Sequence, residues 1–343
     1  MNKKIGILTF HGADNLGAVL QAYALSKYIT DSIGIATEIV DYKCRKVEDT
    51  RFAHSRNIIK RIPLSVYYKI KRNGFDKFRK VYLPLSESVY TRDTIGESNT
   101  MYSTFIAGSD QIWNTECSDN DLTYFLDFVN EDKVKIAYAA SIGAINFTKQ
   151  EIKKYTKYLE RFKVISVREQ SSVYKLELPN NTPILPDPVF LLDRDEWKAV
   201  SSTGKHRKKY VFVYLIQEDV NVLNAAKKYA KEHGYDIINN KKSLEFIMNN
   251  SPDSFLVWIE HAEAVFTNSF HGTAFSIIYR KLLAADIALK DGRTNNRIKE
   301  LLCSAGLEQC IITESNKVPL TANADKWLQL QKSNAREFLM QNI

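Results

Sequence analysis

Four short stretches of the 343-residue chain hold residue types that could do chemistry. The first is Asn268-Ser-Phe-His-Gly-Thr273, which follows an apolar run and opens a helical pattern. A helix start presents unpaired backbone N–H groups and a partial positive charge, which suits an anion. Gly272 lets a ligand approach the backbone, Ser269 adds a hydroxyl, and His271 can bond a phosphate or move a proton near neutral pH. The same residues also suit a plain helix cap beside a core histidine. The second stretch is Gly108-Ser-Asp-Gln-Ile-Trp113. Ser109, Asp110 and Gln111 could hold sugar hydroxyls over the aromatic face of Trp113, with Asp110 as a general base. Gly-Ser-Asp is equally the composition of a turn. The third is Arg168, at the end of an apolar run. Its guanidinium could grip a carboxylate with two bonds, or form a surface ion pair with Glu169. The fourth, His11 to Gly17, has two glycines but neither the Lys-Ser/Thr of a P-loop nor the third glycine of a dinucleotide fingerprint.

These stretches need strands and helices to hold them. The first forty residues read as strand, glycine loop, helix and strand, the opening of a doubly wound α/β domain. Strands are expected at 104–107, 134–140 and 164–167, with a helix at 149–160. Residues 193–209 are polar and end in a basic cluster, and the α/β alternation restarts at Tyr210. The expected fold is therefore α/β, with two Rossmann-like domains facing a cleft: 1–192, a linker at 193–209, and 210–343. The last helix is expected to return to the first domain. Ligands of such sheets bind outside the carboxyl ends of the strands. That rule selects the loops 11–17, 108–114, 141–143, 168–170 and 268–272.

Six segments, taken in order, resemble the polysaccharide pyruvyl transferase family. They are GADNLGAVLQAYAL (12–25), FIAGSDQIWN (105–114), YAASIG (138–143), SVREQSS (166–172), LPDPVFLL (185–192) and TNSFHG (267–272). The resemblance implies a GT-B-like pair of domains and an EC 2.5.1-type (ketal-)pyruvyltransferase. Such an enzyme moves the pyruvyl group of phosphoenolpyruvate onto a sugar in capsule, exopolysaccharide or cell-wall polymer synthesis, with the sugar on a lipid diphosphate carrier. It implies Arg168 of the first domain, and His271, Ser269 and Gly272 of a donor-side second domain, as phosphoenolpyruvate contacts. Some members carry an Arg where this chain has Ser269, so Arg293 or Arg297 is expected to substitute. Asn15, Ser109, Asp110, Gln111 and Trp113 fall on the acceptor side, with His271 and Asp110 as the catalytic pair. No metal and no cofactor beyond the donor substrate is implied. The alternatives are a nucleotide-sugar glycosyltransferase of similar fold and a non-catalytic sugar-binding member.

Composition narrows the partners. The net charge of +8 is carried by residues 51–80, which hold ten Lys/Arg and one acid, Asp76. Outside that segment 38 basic residues balance 39 acidic ones, which argues against nucleic acid as a partner. Apolar spacing there, interrupted by Pro63, predicts a basic insertion of two short amphipathic helices suited to an anionic lipid surface. Cys44, Cys117, Cys303 and Cys310 form no CxxC pair and have no histidine at zinc spacing. The apolar run after Lys4 ends at Phe10, too short for a signal core. No uncharged apolar run approaches the ~18–20 residues of a membrane span. The expected location is the cytoplasm, peripheral on the inner face of the plasma membrane.

Overall fold

A computed structural model describes residues 4–52, 58–203, 208–288, 294–313 and 318–343, and for residues 58–64 the backbone alone. The elements run β1 (Ile5–Leu8), α1 (Leu16–Tyr28), β2 (Thr37–Tyr42), α2 (Arg45–Asp49), α3 (Ile58–Tyr82), β3 (Leu85–Tyr90), β4 (Thr104–Ala107) and α4 (Thr115–Ser118). They continue with β5 (Val134–Ala140), α5 (Lys149–Leu159), β6 (Val164–Val167), α6 (Gln170–Lys175) and α7 (Arg194–Lys198). Then come β7 (Tyr210–Tyr214), α8 (Val220–His233), β8 (Asp236–Asn239), α9 (Leu244–Met248), α10 (Pro252–His261), β9 (Ala264–Thr267) and α11 (Phe270–Ile278). The last are β10 (Leu282–Ala285), α12 (Asn296–Ser304), β11 (Leu320–Thr321) and α13 (Asp325–Asn342).

The strands form two sheets. The first has the order β3-β2-β1-β4-β5-β6, parallel throughout. Parallel strands are covered on both faces, so β1 and β4 read as unbroken apolar runs and every residue in them is buried. The second has the order β11-β10-β9-β7-β8, parallel except for the short edge strand β11. Each order reverses once, between β1 and β4 in the first sheet and between β7 and β9 in the second. Those reversals are where an open α/β sheet leaves a crevice at its strand ends. The fold is thus α/β with two Rossmann-like sheets.

The chain divides into two compact units. Unit 1 holds 1–68, 79–192 and 330–343; unit 2 holds 69–78 and 193–329. Two expectations are revised. The stretch 193–209 is not a bare linker: Asp193 and Glu196 form a capping box for α7, and Trp197 packs edge-on to Phe275 at 5.0 Å. The basic segment is not two helices but one, α3, with Pro63 inside it. Pro63 stands in the second turn, so only one intrahelical N–H bond is forfeited. Residues 53–57 and the side chains of 58–64, including Lys60 and Arg61, lie outside the described residues. Among the described residues no helix is long and apolar enough to cross a membrane.

Candidate functional site

In unit 1 the first cluster grows from the reversal between β1 and β4. Thr9 follows β1, and its hydroxyl donates to the Ser109 carbonyl at 3.0 Å, while Gln21 of α1 donates to Thr9 Oγ1 at 2.8 Å. Gly108 allows this approach: a Cβ there would sit 3.1 Å from Thr9 Cβ. Ser109 Oγ donates to Asp187 Oδ2 at 3.3 Å. Asp110 follows with φ +74°, a left-handed conformation that Asp tolerates better than most residues. It bridges to Ala140, and its carbonyl accepts from Ser141 N at 3.1 Å. A bulge between Ala137 and Ala140, with Ala139 at φ +47°, re-aims the end of β5 toward this loop. Gly143 stands at φ +66°, a left-handed conformation that favours glycine, and a Cβ there would displace the Gln111 amide, whose Oε1 would lie 2.0 Å away. That Gln111 oxygen accepts from Asn114 Nδ2 at 3.0 Å.

Arg168 leaves the end of β6 beside this loop, its amide donating to the Ala140 carbonyl at 3.1 Å. Its side chain is 2% exposed and spends its charge inside the protein. Nη1 donates to Asp187 Oδ2 at 2.5 Å, and Nε lies 3.5 Å from Glu169 Oε2. Glu169 Oε1 accepts from Ser141 Oγ at 2.7 Å and from the Ser172 hydroxyl. Burial works against the Arg168 charge, but Asp187, Glu169 and Asp110 outweigh it and raise its pKa above the ordinary arginine value.

Other predicted residues of unit 1 have structural work. Asn15 caps α1, its Oδ1 accepting from the amides of Gly17 at 3.0 Å and Ala18 at 3.2 Å. Trp113 is 0% exposed, stacked on Phe125 at 5.6 Å, and its Nε1 donates to the Tyr124 carbonyl at 3.1 Å. A sugar platform needs an open ring face, so Trp113 is a core residue under the loop. The glycine loop after β1 is held from α3: Arg79 donates to the carbonyls of His11, Gly12 and Ala13 and to Asp14 Oδ1, at 2.6–2.9 Å. His11 in turn sets Nε2 3.0 Å from Asp41 Oδ1 and Nδ1 3.2 Å from the Thr9 carbonyl.

In unit 2 the second cluster stands at the reversal between β7 and β9. Asn268 spans it: Oδ1 accepts from Ile216 N at 2.9 Å, and Nδ2 donates to the Gln217 carbonyl at 3.1 Å and to Asp219 Oδ2 at 3.3 Å. Ser269 is the N-cap of α11, with Oγ accepting from Gly272 N at 3.2 Å. Gly272 is sterically required, since a Cβ would lie 2.6 Å from Thr267 Oγ1. His271 sits in the first turn of α11 and is 8% exposed. Capping and a histidine at the strand end therefore coexist. Arg297 lies in the first turn of α12, which packs on α11; Arg293 lies outside the described residues. Asp286, after β10, accepts from Ala288 N at 2.8 Å. Burial, and then the Asp219 carboxylate beside it, raise its pKa above the usual carboxylate value, against the pull of the Ala288 amide.

The structure thus brings Ser109, Asp110, Gln111 and Arg168 together in unit 1, and Ser269, His271 and Gly272 in unit 2. Sequence reasoning missed Asp187, Glu169 as its companion, and the Asp219–Asp286 pair. The signal for Asp187 was legible: an acid between two prolines in LPDPVFLL sits among apolar residues and must find a partner. Among the described residues no group of three or more His, Cys, Asp or Glu is placed to hold a metal ion.

Two sheets, parallel but for the edge strand β11 and with polar loops at their reversals, define an α/β protein. The chain belongs to the polysaccharide pyruvyl transferase family, whose model matches residues 15–281. No curated protein matches it in sequence. Among solved structures it is similar to the Methanocaldococcus jannaschii UDP-GlcNAc 2-epimerase, at 12% identity over 99% of this chain and 93% of that one, with a TM-score of 0.45. It is also similar to the E. coli ADP-heptose LPS heptosyltransferase II, at 8% identity over 98% and 99%, with a TM-score of 0.40. The family match makes the chain a transferase of the pyruvyl transferase kind.

Proposed function

We propose that the chain transfers the pyruvyl group of phosphoenolpyruvate to two hydroxyls of a sugar, closing a cyclic ketal during capsular, exopolysaccharide or cell-wall polymer synthesis. The observation that carries the reading is the place of His271. It stands in the first turn of α11, at the reversal of the second sheet, inside the segment that matches the family. The reaction has two halves, and we assign one to each unit. The donor half falls to unit 2, where His271, the Ser269–Gly272 turn and Arg297 suit a phosphate and a carboxylate. The acceptor half falls to unit 1, where Ser109, Asp110 and Gln111 suit hydroxyls.

His271 gives a proton to the methylene carbon, and positive charge develops at C2. A sugar oxygen bonds to C2 as Asp110 accepts or orients its proton. The C2–O bond to phosphate breaks, and phosphate leaves with the electron pair. The second hydroxyl then bonds to C2. Of the two hydroxyl protons, one restores the acid and one leaves on phosphate, so the products are the ketal and inorganic phosphate. The scheme draws on no metal and no redox cofactor.

Phosphate release with phosphoenolpyruvate and a panel of lipid-diphosphate-linked oligosaccharides tests this, together with mass analysis of the product. Ketal formation is the expected result. Stabilisation by a UDP-sugar, with none by phosphoenolpyruvate, overturns it.

The acceptor's lipid carrier also gives the basic helix a purpose. Lys69, Lys77 and Lys80 of α3 are exposed, while Arg79 is consumed inside unit 1. Each exposed lysine near an anionic leaflet contributes about 1 kcal/mol of attraction. Flotation with vesicles containing phosphatidylglycerol at physiological salt is expected to carry the protein. Equal recovery with neutral vesicles removes the idea.

A further inference from the structure

The glycine loop after β1 carries a polar cluster of its own. Asp14 Oδ1 takes two guanidiniums: Arg79 Nη2 donates at 2.8 Å and Arg51 Nε at 3.1 Å. Arg51 Nη1 also donates to Glu48 Oε2, in α2, at 3.3 Å. Each carboxylate thus has one oxygen bonded. The other oxygen of each, Asp14 Oδ2 and Glu48 Oε1, is buried and meets no hydrogen-bond donor among the described residues. A buried carboxylate oxygen without a donor is costly, and two of them held by one arginine call for a ligand that brings hydrogens. The Asp14 side chain is 2% exposed, so surface water does not serve it, whereas Glu48 is 26% exposed and marks the side from which a ligand arrives. Gly12 borders the place: a Cβ on it would stand 2.8 Å from Glu48 Oε1.

Charge and place define the ligand. Asp14 and Glu48 face Arg51 and Arg79, so the charges of these four side chains cancel and a cation gains little. A neutral hydroxyl gains a charge-assisted bond at each oxygen. Asp14 is already fixed by two guanidiniums, so little order is lost when it takes one. The first sheet runs β3-β2-β1-β4. Asp110 follows β4, whereas Glu48 and Arg51 follow β2, and Arg79 lies in the last turn of α3, which leads into β3. Two strand spacings, on the order of 10 Å, separate β2 from β4, more than one sugar ring bridges. We propose that Asp14 Oδ2 and Glu48 Oε1 form a subsite for two hydroxyls of a neutral sugar unit next to the one that reacts, so that the chain takes an oligosaccharide rather than a single sugar. The proposal rests on the reading of unit 1 as the acceptor half.

Initial rates with phosphoenolpyruvate and a matched series of neutral hexose mono-, di- and trisaccharides test this in the native chain and in three variants. The native chain is expected to favour the trisaccharide over the monosaccharide by on the order of 10²-fold in kcat/KM, because each hydrogen bond to a charged group contributes about tenfold. Glu48→Ala removes one acceptor. Asp14→Asn puts an NH₂ group where the unbonded oxygen stood, because the other atom must still accept from two guanidiniums. Each should cut the preference about tenfold, through the acceptor KM, with the phosphoenolpyruvate KM changed by less than about twofold. Gly12→Ala keeps both carboxylates but pushes Glu48 Oε1 aside, and should act like Glu48→Ala.

A native chain with no preference for the longer acceptor overturns the subsite. Variants that lose melting temperature while the preference stays also overturn it, because the cluster then only pins the loop. A rise in melting temperature with calcium or manganese ions in the native chain, absent from Glu48→Ala, makes the place a cation site and overturns it as well. If Asp14→Asn fails to fold, Glu48→Ala and Gly12→Ala carry the test. Binding needs no turnover: calorimetry with the trisaccharide is expected to give about tenfold weaker binding to Glu48→Ala than to the native chain, and equal binding overturns the subsite. A native chain that binds the trisaccharide through Glu48 but neither binds nor consumes phosphoenolpyruvate removes the proposed function instead, and leaves the subsite standing.

Discussion

The two strand-end clusters are built on different plans. In unit 1 the cluster is charged: the Arg168 guanidinium among the Asp187, Glu169 and Asp110 carboxylates, with serine hydroxyls bonded to Asp187 and Glu169. In unit 2 the strand end offers a histidine, a capped helix N-terminus and an asparagine that sews two loops together. The first plan fixes a carboxylate and suits a neutral ligand. The second joins a helix N-terminus and a histidine to the Asp219–Asp286 carboxylate pair, so it mixes both signs of charge.

Five substitutions press on this contrast, taken from the largest effect to the smallest. His271→Ala is expected to cut turnover by on the order of 10²–10⁴ while the melting temperature barely moves. Near-normal phosphate release in that variant would take the proton donor out of unit 2. Asp110→Asn should lower kcat by roughly 10–10², the lower end of acid–base effects, and leave phosphoenolpyruvate binding intact by calorimetry. A loss of donor affinity there would merge the two plans.

Gly143→Ala forces a left-handed residue and displaces the Gln111 amide, and should cost about 1–3 kcal/mol in denaturant titration. The equivalent change at Gly272 provides the internal comparison, since its obstacle is the shorter and less mobile Thr267 hydroxyl at 2.6 Å.

The smallest effect is one of pH. Asp41 is partly buried, which works against its charge, but the bonds from His11 and Lys43 hold its pKa at about 2, below the ordinary 3.8. A carboxyl depressed by folding stabilises the native state above its unfolded value, and that contribution fades as pH falls from about 4 through about 2. Asp41→Asn should flatten the stability curve of the native chain in that interval. Curves that stay parallel would assign acid sensitivity to other groups.

Much of this was legible in the chain because it is local. Apolar runs marked β1, β4, β5 and β9, and glycine with polar residues marked the loops that follow them. Two of the four edge strands were not legible: Leu85–Tyr90 is half exposed and reads as loop, and β11 has two residues, both exposed. Pro63 read as a helix break because the sequence does not show how near the start of a helix a proline stands. The site residues divide in the same way. Ser269 and His271 lie on one turn of one helix, and the pattern found both. Asp187 serves residues 19 and 78 positions away, and such a pairing leaves no periodic trace. Trp113 was placed by its loop, whereas the stack on Phe125 decides where it goes.

The division of the chain has a consequence for how such a protein can change over evolutionary time. Ten residues of α3 are counted with the second unit, and the last fourteen residues of the chain with the first. No single cut, whether by protease or by gene recombination, yields either unit whole. A crossover near residue 192 would strand Phe75 and Phe78, both buried, from the rest of unit 2's chain, and Phe338 and Leu339 from that of unit 1. The two units are therefore not exchangeable as single stretches of sequence.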